Sequence, residues 1–88
     1  MSEEFHEALV TYESLAWSEL DFLVRYDGGY AGWLKKTDHA TNFICAVNVE
    51  RDGKRVLHVI GRSSSIPKGA RAVAYHWWLN HRASEHQR

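Results

Sequence analysis

Two runs of β-forming residues, Asn42-Phe-Ile-Cys-Ala-Val-Asn-Val-Glu50 and Lys54-Arg-Val-Leu-His-Val-Ile-Gly61, are joined by Arg51-Asp52-Gly53-Lys54. Asp-Gly between alternating hydrophobic runs signals a two-residue hairpin loop, because both central residues of the favoured turn need φ > 0. Such a loop also fixes register, setting Val49 against Val56, Val47 against His58, Cys45 against Ile60 and Phe43 against Arg62. Side chains alternate along a strand, so Phe43, Cys45, Val47, Val49, Val56 and Ile60 share one apolar face. The other face carries Asn48, Glu50 and Arg55 near the turn, then Ile44, Ala46, Leu57 and Val59 beyond it. The far end of the hairpin is therefore apolar on both sides and calls for a cover.

The segment that follows is the natural candidate. Ser63-Ser64-Ser65 supplies N-cap residues, and Pro67 suits a first helical turn, where its missing N–H costs nothing. Ala70, Val73, Ala74, Trp77 and His81 then recur at helical spacing. Tyr75, Trp78 and Leu79 fall outside that stripe, which leaves only Arg71, His76 and Asn80 polar between residues 70 and 80. A helix this apolar around its perimeter is either buried deeply or lends a second face to a partner. A chain of 88 residues has little protein with which to bury it, so the sequence predicts a contact surface at Tyr75 and Trp78.

Earlier in the chain, Phe5, Ala8, Leu9, Tyr12, Leu15 and Ala16 recur at three- and four-residue intervals behind an acidic start, Ser2-Glu3-Glu4. That pattern predicts an amphipathic helix over about residues 3–17. Leu20 to Tyr26 is rich in β-formers and ends at Asp27-Gly28-Gly29, a turn signal, before Tyr30 to Lys36. Strands are expected over about 20–26, 30–36, 43–50 and 55–61, a helix over about 67–82, and a frayed tail over 83–88. Residues 20–26 could instead continue the helix. The expected class is α+β in a single domain: an N-terminal helix, a three- or four-stranded antiparallel sheet, and a C-terminal helix packed on it.

The lone cysteine, Cys45, lies on the predicted inner face and reads as a small core residue. No secretory leader or membrane span is visible in the sequence, and a cytoplasmic location without membrane contact is expected. The formal charge is zero overall but split: residues 1–27 hold seven acids against Arg25, and residues 28–88 hold ten Lys/Arg against four acids. A neutral total is a poor footprint for a nucleic-acid binder, whose affinity rests on neutralising phosphates.

Little here assembles into catalytic chemistry. His76, His81 and His86 are spaced by five, which spreads them around a helix, and no Cys/His pair has zinc-site spacing. Neither metal nor cofactor is expected. Gly61 to Gly69 looks like a phosphate loop but lacks the Gly-Lys-Ser/Thr ending, and the serines have no nucleophile-elbow context. His58 reads as a core or edge histidine. Two groups of binding candidates remain. Tyr30, Trp33, Tyr75 and Trp78 are aromatic anchors of the kind that dominate protein interfaces, with Trp77 assigned to the core. Lys35, Lys36, His39, Lys68 and Arg71 are the cationic set for RNA, the last two one turn apart at a helix N-terminus.

Three resemblances bear on these candidates. His39-Ala-Thr-Asn-Phe43, Gly61-Arg-Ser63 and Lys68-Gly-Ala-Arg71 resemble the loop histidine, the Gly-x-Ser ending and the basic second helix of double-stranded-RNA-binding domains. That likeness covers residues 30–79, implies an α-β-β-β-α order, and assigns RNA contacts to His39, Lys68 and Arg71. Val24-Arg25-Tyr26-Asp27-Gly28-Gly29 and Ile66-Pro67-Lys68-Gly69 resemble segments of the HicA-type messenger-RNA-cleaving toxins, with Tyr30 standing where that family has its catalytic histidine. Val47-Asn-Val-Glu-Arg-Asp-Gly-Lys54 followed by an Ala-rich helix is similar to part of one type I-F anti-CRISPR family, small phage-encoded inhibitors.

Taken together, the sequence points first to a non-enzymatic protein-binding module. The resemblance to anti-CRISPR proteins implies a phage or mobile-element inhibitor that occludes a host nucleic-acid-handling complex. Its aromatic patch could equally serve a homodimer. Double-stranded-RNA binding and HicA-like cleavage are the alternatives.

Overall fold

Two Asp-Gly pairs each turn the chain back on itself. Asp27 and Gly28 have φ of 50° and 83°, and Asp52 and Gly53 have φ of 53° and 77°, the doubly left-handed geometry that matches strand twist in a two-residue hairpin loop. The computed structural model describes residues 4–15, 18–36 and 42–86. Among them a short 3-10 turn, Glu7–Leu9, leads into β1 (Val10–Leu15), β2 (Ser18–Tyr26), β3 (Gly29–Lys36), β4 (Phe43–Arg51), β5 (Lys54–Ser63) and α1 (Ile66–His86). The five strands form one antiparallel sheet in chain order, and α1 lies across one face of it.

The α+β class and the C-terminal helix are as expected, but the first element is not. Instead of a helix over residues 3–17, Val10–Leu15 pairs antiparallel with β2, Tyr12 opposite Val24. Val10, Thr11 and Tyr12 carry β-branched or aromatic side chains, which lose rotamer freedom in a helix and pack well on a pleated surface. Phe5, Leu9 and Val10 still pack against the core, though Phe5 and Leu9 reach it from a turn. Residues 1–3, 16 and 17, also within that expectation, lie outside the described residues. The sheet consequently has five strands rather than three or four. The helix also runs further than the expected residue 82, through His86, and residues 87 and 88 of the expected tail lie outside the described residues.

The β4–β5 hairpin follows the expected register near its turn, with Val49 opposite Val56 and Val47 opposite His58. Beyond Ala46 it shifts by one residue. Cys45 stands opposite Gly61 rather than Ile60, and Phe43 opposite Ser63 rather than Arg62. Ile60 is the extra residue of a β-bulge, and Gly61 beside it takes φ of 149°, a conformation that glycine adopts at least cost.

The core fills the space between α1 and the middle strands. Val24 and Tyr26, Leu34, and Phe43, Cys45 and Val47 contribute from β2, β3 and β4; Ala70, Val73, Ala74 and Trp78 contribute from α1. Ser65 caps the helix, its hydroxyl accepting from the Lys68 N–H at 3.5 Å while its carbonyl accepts from Gly69 at 2.9 Å. An aromatic cluster closes the other end. Phe5 stacks on Tyr26 at 5.1 Å and meets Trp78 edge-on at 5.8 Å, and the His6 N–H donates to the Tyr26 hydroxyl at 2.8 Å. Trp77 and Trp78 exchange the expected roles: Trp78 is buried, whereas Trp77 is half-buried and packs tilted against Tyr26 at 6.2 Å. Trp78 follows Ala74 by one helical turn, so it continues the Ala70–Ala74 ridge. No described helix is long and apolar enough to cross a membrane.

Cys45 is 2% exposed, and burial pushes its thiol above the ordinary cysteine range. The thiolate is the reactive form. Native protein at neutral pH is therefore expected to resist iodoacetamide and to take up one equivalent only after unfolding; rapid native labelling would contradict the core placement.

Candidate functional site

The face of the sheet turned away from α1 has no described element over it. The bulge-adjusted pairings align Glu13, Leu23, Trp33, Ala46 and Val59 in one row across all five strands. Asp21, Lys35, Ile44 and Arg62 form the next row. On the other side of the apolar row, Thr11 and Arg25 lead to Tyr30, and Asn48 stands opposite Leu57. Leu23, Trp33, Ile44 and Ala46 are half-buried, by their neighbours on the same face, while Leu57 and Val59 are 46% and 59% exposed. The result is an apolar strip with a mixed charged border. The sequence carried its signal: Ile44, Ala46, Leu57 and Val59 read as a second apolar side of the hairpin. The expected cover was α1, but that helix covers the Phe43, Cys45 and Val47 side instead.

Tyr30 and Trp33 are on this strip. Trp33 hydrogen-bonds to the Tyr30 side chain, and burial, the larger effect, raises the phenol above its ordinary value. The Asn48 side-chain amide donates to the Tyr30 carbonyl at 3.3 Å, tying the ends of β3 and β4 together. At neutral pH the Tyr30 hydroxyl is protonated, which makes it a poor general base where the toxin resemblance would place a histidine.

Tyr75 and Trp78 belong to the opposite layer. Tyr75 is 41% exposed on α1, edge-on to Phe5 at 5.3 Å and stacked near Trp78 at 6.0 Å. Trp78 is 5% exposed, and the Arg82 guanidinium lies 5.3 Å from its ring. The four aromatic candidates thus divide between two surfaces, and those on the helix offer mainly the Tyr75 ring.

The cationic candidates are scattered. Lys35 is exposed on the open face, beside Asp21 and Ile44. Lys36 is exposed at the end of β3, opposite Phe43. Lys68 and Arg71 are exposed on the first turns of α1, where the Arg71 Nε reaches the Glu7 carboxylate at 2.8 Å. His39 lies outside the described residues. His58 is exposed on β5, an edge histidine. Among the described residues no group of three or more His, Cys, Asp or Glu is placed to hold a metal ion.

No protein family, no curated protein and no solved structure matches this chain.

Proposed function

We propose that the chain is a protein-binding module whose docking surface is the open sheet face centred on Trp33. The observation that carries this reading is the row Leu23–Trp33–Ala46–Val59, running without a charged interruption from β2 to β5 on a face that no described element covers. Half-exposed aromatic and aliphatic side chains inside a charged border are the arrangement of an interface core and its rim. A partner of matching chemistry would present an apolar ridge. The acidic residues support a nucleic-acid mimic less well, since Glu7 is held by Arg71 and Glu13 faces Arg25 at 3.7 Å. Occlusion of a host nucleic-acid-handling complex, the finer reading, rests on the anti-CRISPR resemblance.

Affinity capture with the whole chain tests it, comparing Leu23→Lys and Trp33→Ser with Tyr75→Ala. The expected result is a protein retained by the wild type and Tyr75→Ala but lost, by roughly tenfold or more, with both sheet-face variants. Equal capture by all four chains would remove the sheet face from consideration, and loss only with Tyr75→Ala would move the site to the helix.

A further inference from the structure

The strand at one border of the sheet offers a second way to bind that does not depend on the face-docking reading. β5 pairs only with β4 among the described residues, so one side of its backbone carries N–H and C=O groups without strand partners. At ten residues it is the longest strand among the described residues. Its first half, from Lys54 to Val59, is exposed on both faces. Leu57 and Val59 are exposed on the open face and Val56 is 40% exposed on the helix side. Above it on the helix side lies a cleft of about 470 Å³, lined by Val49, His58, Ile60, His76 and Asn80 among others.

Edges of this kind are normally guarded by charge, bulges or shortness. The opposite edge, β1, is better guarded: it has six described residues, a break in its register with β2 at Ser14/Leu15, and polar Thr11, Glu13 and Ser14 exposed around its one exposed aromatic, Tyr12. On β5 the run Val56-Leu57-His58-Val59 has no formally charged side chain, and the bulge comes only after it.

We infer that β5 pairs antiparallel with β5 of a second copy of this chain, about a two-fold axis at Leu57, giving a continuous ten-stranded sheet. Self-pairing is favoured by the strand's own order of residues. With Leu57 on the axis, Val56 meets His58, Arg55 meets Val59 and Lys54 meets Ile60 of the second copy. No two cations oppose one another, whereas a shift that puts His58 on the axis sets Lys54 against Arg62. Opposed like charges destabilise a strand pair. A two-fold perpendicular to the sheet keeps both helices on one side. Leu57 and Val59 of each copy then form a four-residue apolar patch across the junction on the open face.

Sedimentation equilibrium on the whole chain, from low to high micromolar concentration, tests this together with hydrogen exchange. The expected mass rises from 10.2 kDa to twice that value, and alternate amides of β5 gain protection as concentration rises. Leu57→Lys, an exposed position whose change adds facing cations, is expected to hold the mass at the monomer value with an unchanged circular-dichroism spectrum. Leu23→Lys, on the open face but three strands away, is expected to dimerise like the wild type. A wild type monomeric throughout overturns the inference, even if it still captures a foreign protein through Trp33. A dimer indifferent to Leu57→Lys, or lost with Leu23→Lys while the β5 amides stay unprotected, also overturns it by placing the contact elsewhere.

Discussion

Gly32→Ala is expected to cost the protein a large share of its stability and to lower its urea midpoint sharply. Gly32 lies in the middle of β3, between Val24 and Val47 on the helix-facing side. A Cβ built there would fall on the Ala46 carbonyl oxygen and 2.6 Å from Val73 Cγ1. The first obstacle is backbone of the adjacent strand, and the second is a fully buried side chain of α1. Neither can rotate away. Overpacking of this kind costs about 3 kcal/mol or more when the backbone itself must move, and a domain of this size holds only about 5–10 kcal/mol. Gly69→Ala is the control. Its Cβ would meet only side-chain atoms, the buried Leu34 Cδ2 at 2.9 Å and Ser63 Cβ at 3.3 Å, a milder clash than one with backbone, and alanine offsets part of it with about 1 kcal/mol of helix propensity. Urea titration followed by circular dichroism should show a large loss of midpoint for the first and a smaller one for the second. Equal midpoints would mean that β3 and α1 do not approach as closely as described.

Trp78→Ala carries the second large effect. The indole is almost wholly buried, with Phe5 and Tyr75 packed on it and the Arg82 guanidinium beside its ring. Truncating a buried aromatic to alanine costs about 3–5 kcal/mol, since the cavity collapses only in part. Phe5 would lose its edge-on partner, so the segment before β1 is expected to loosen with it. Tyr75→Ala, at an exposed ring, should cost about 1 kcal/mol or less. Thermal melts of the two variants measure the difference. A Trp78→Ala protein as stable as Tyr75→Ala would show that the ring is not a core residue.

What the sequence made legible follows the range of the forces involved. Turn chemistry acts over four residues, and it correctly set both Asp-Gly hairpins and the pairing from Val49 to Val47. The bulge at Ile60 was out of reach because nothing within the strand marks it except Gly61, and a lone glycine does not say which residue is extra. Val10–Leu15 was misread because Phe5, Leu9 and Tyr12 imitate a helical period, while its strand state comes from β2, a partner elsewhere in the chain. Trp78 was misplaced because a stripe drawn through Val73, Trp77 and His81 competes with one through Ala70, Ala74 and Trp78. The sequence contains both, and the sheet below decides. Of the candidate site, Tyr30 and Trp33 were named as binding residues and Leu57 and Val59 as part of a second apolar side, whereas Leu23 was not singled out and the helix was expected to cover Leu57 and Val59. Their exposure depends on the path of α1 over the middle of the sheet, a fact of packing rather than of spacing.

The strand order has one more consequence. Every pairing in the sheet joins neighbours along the chain, so no segment must wait for a distant one before it gains a ladder. The entropy of loop closure is met in small instalments, and chains dominated by such local pairing reach the folded state faster than sheets of crossed connectivity. The two tight turns are the natural places for zipping to start, with α1, last in the chain, settling onto a platform already formed.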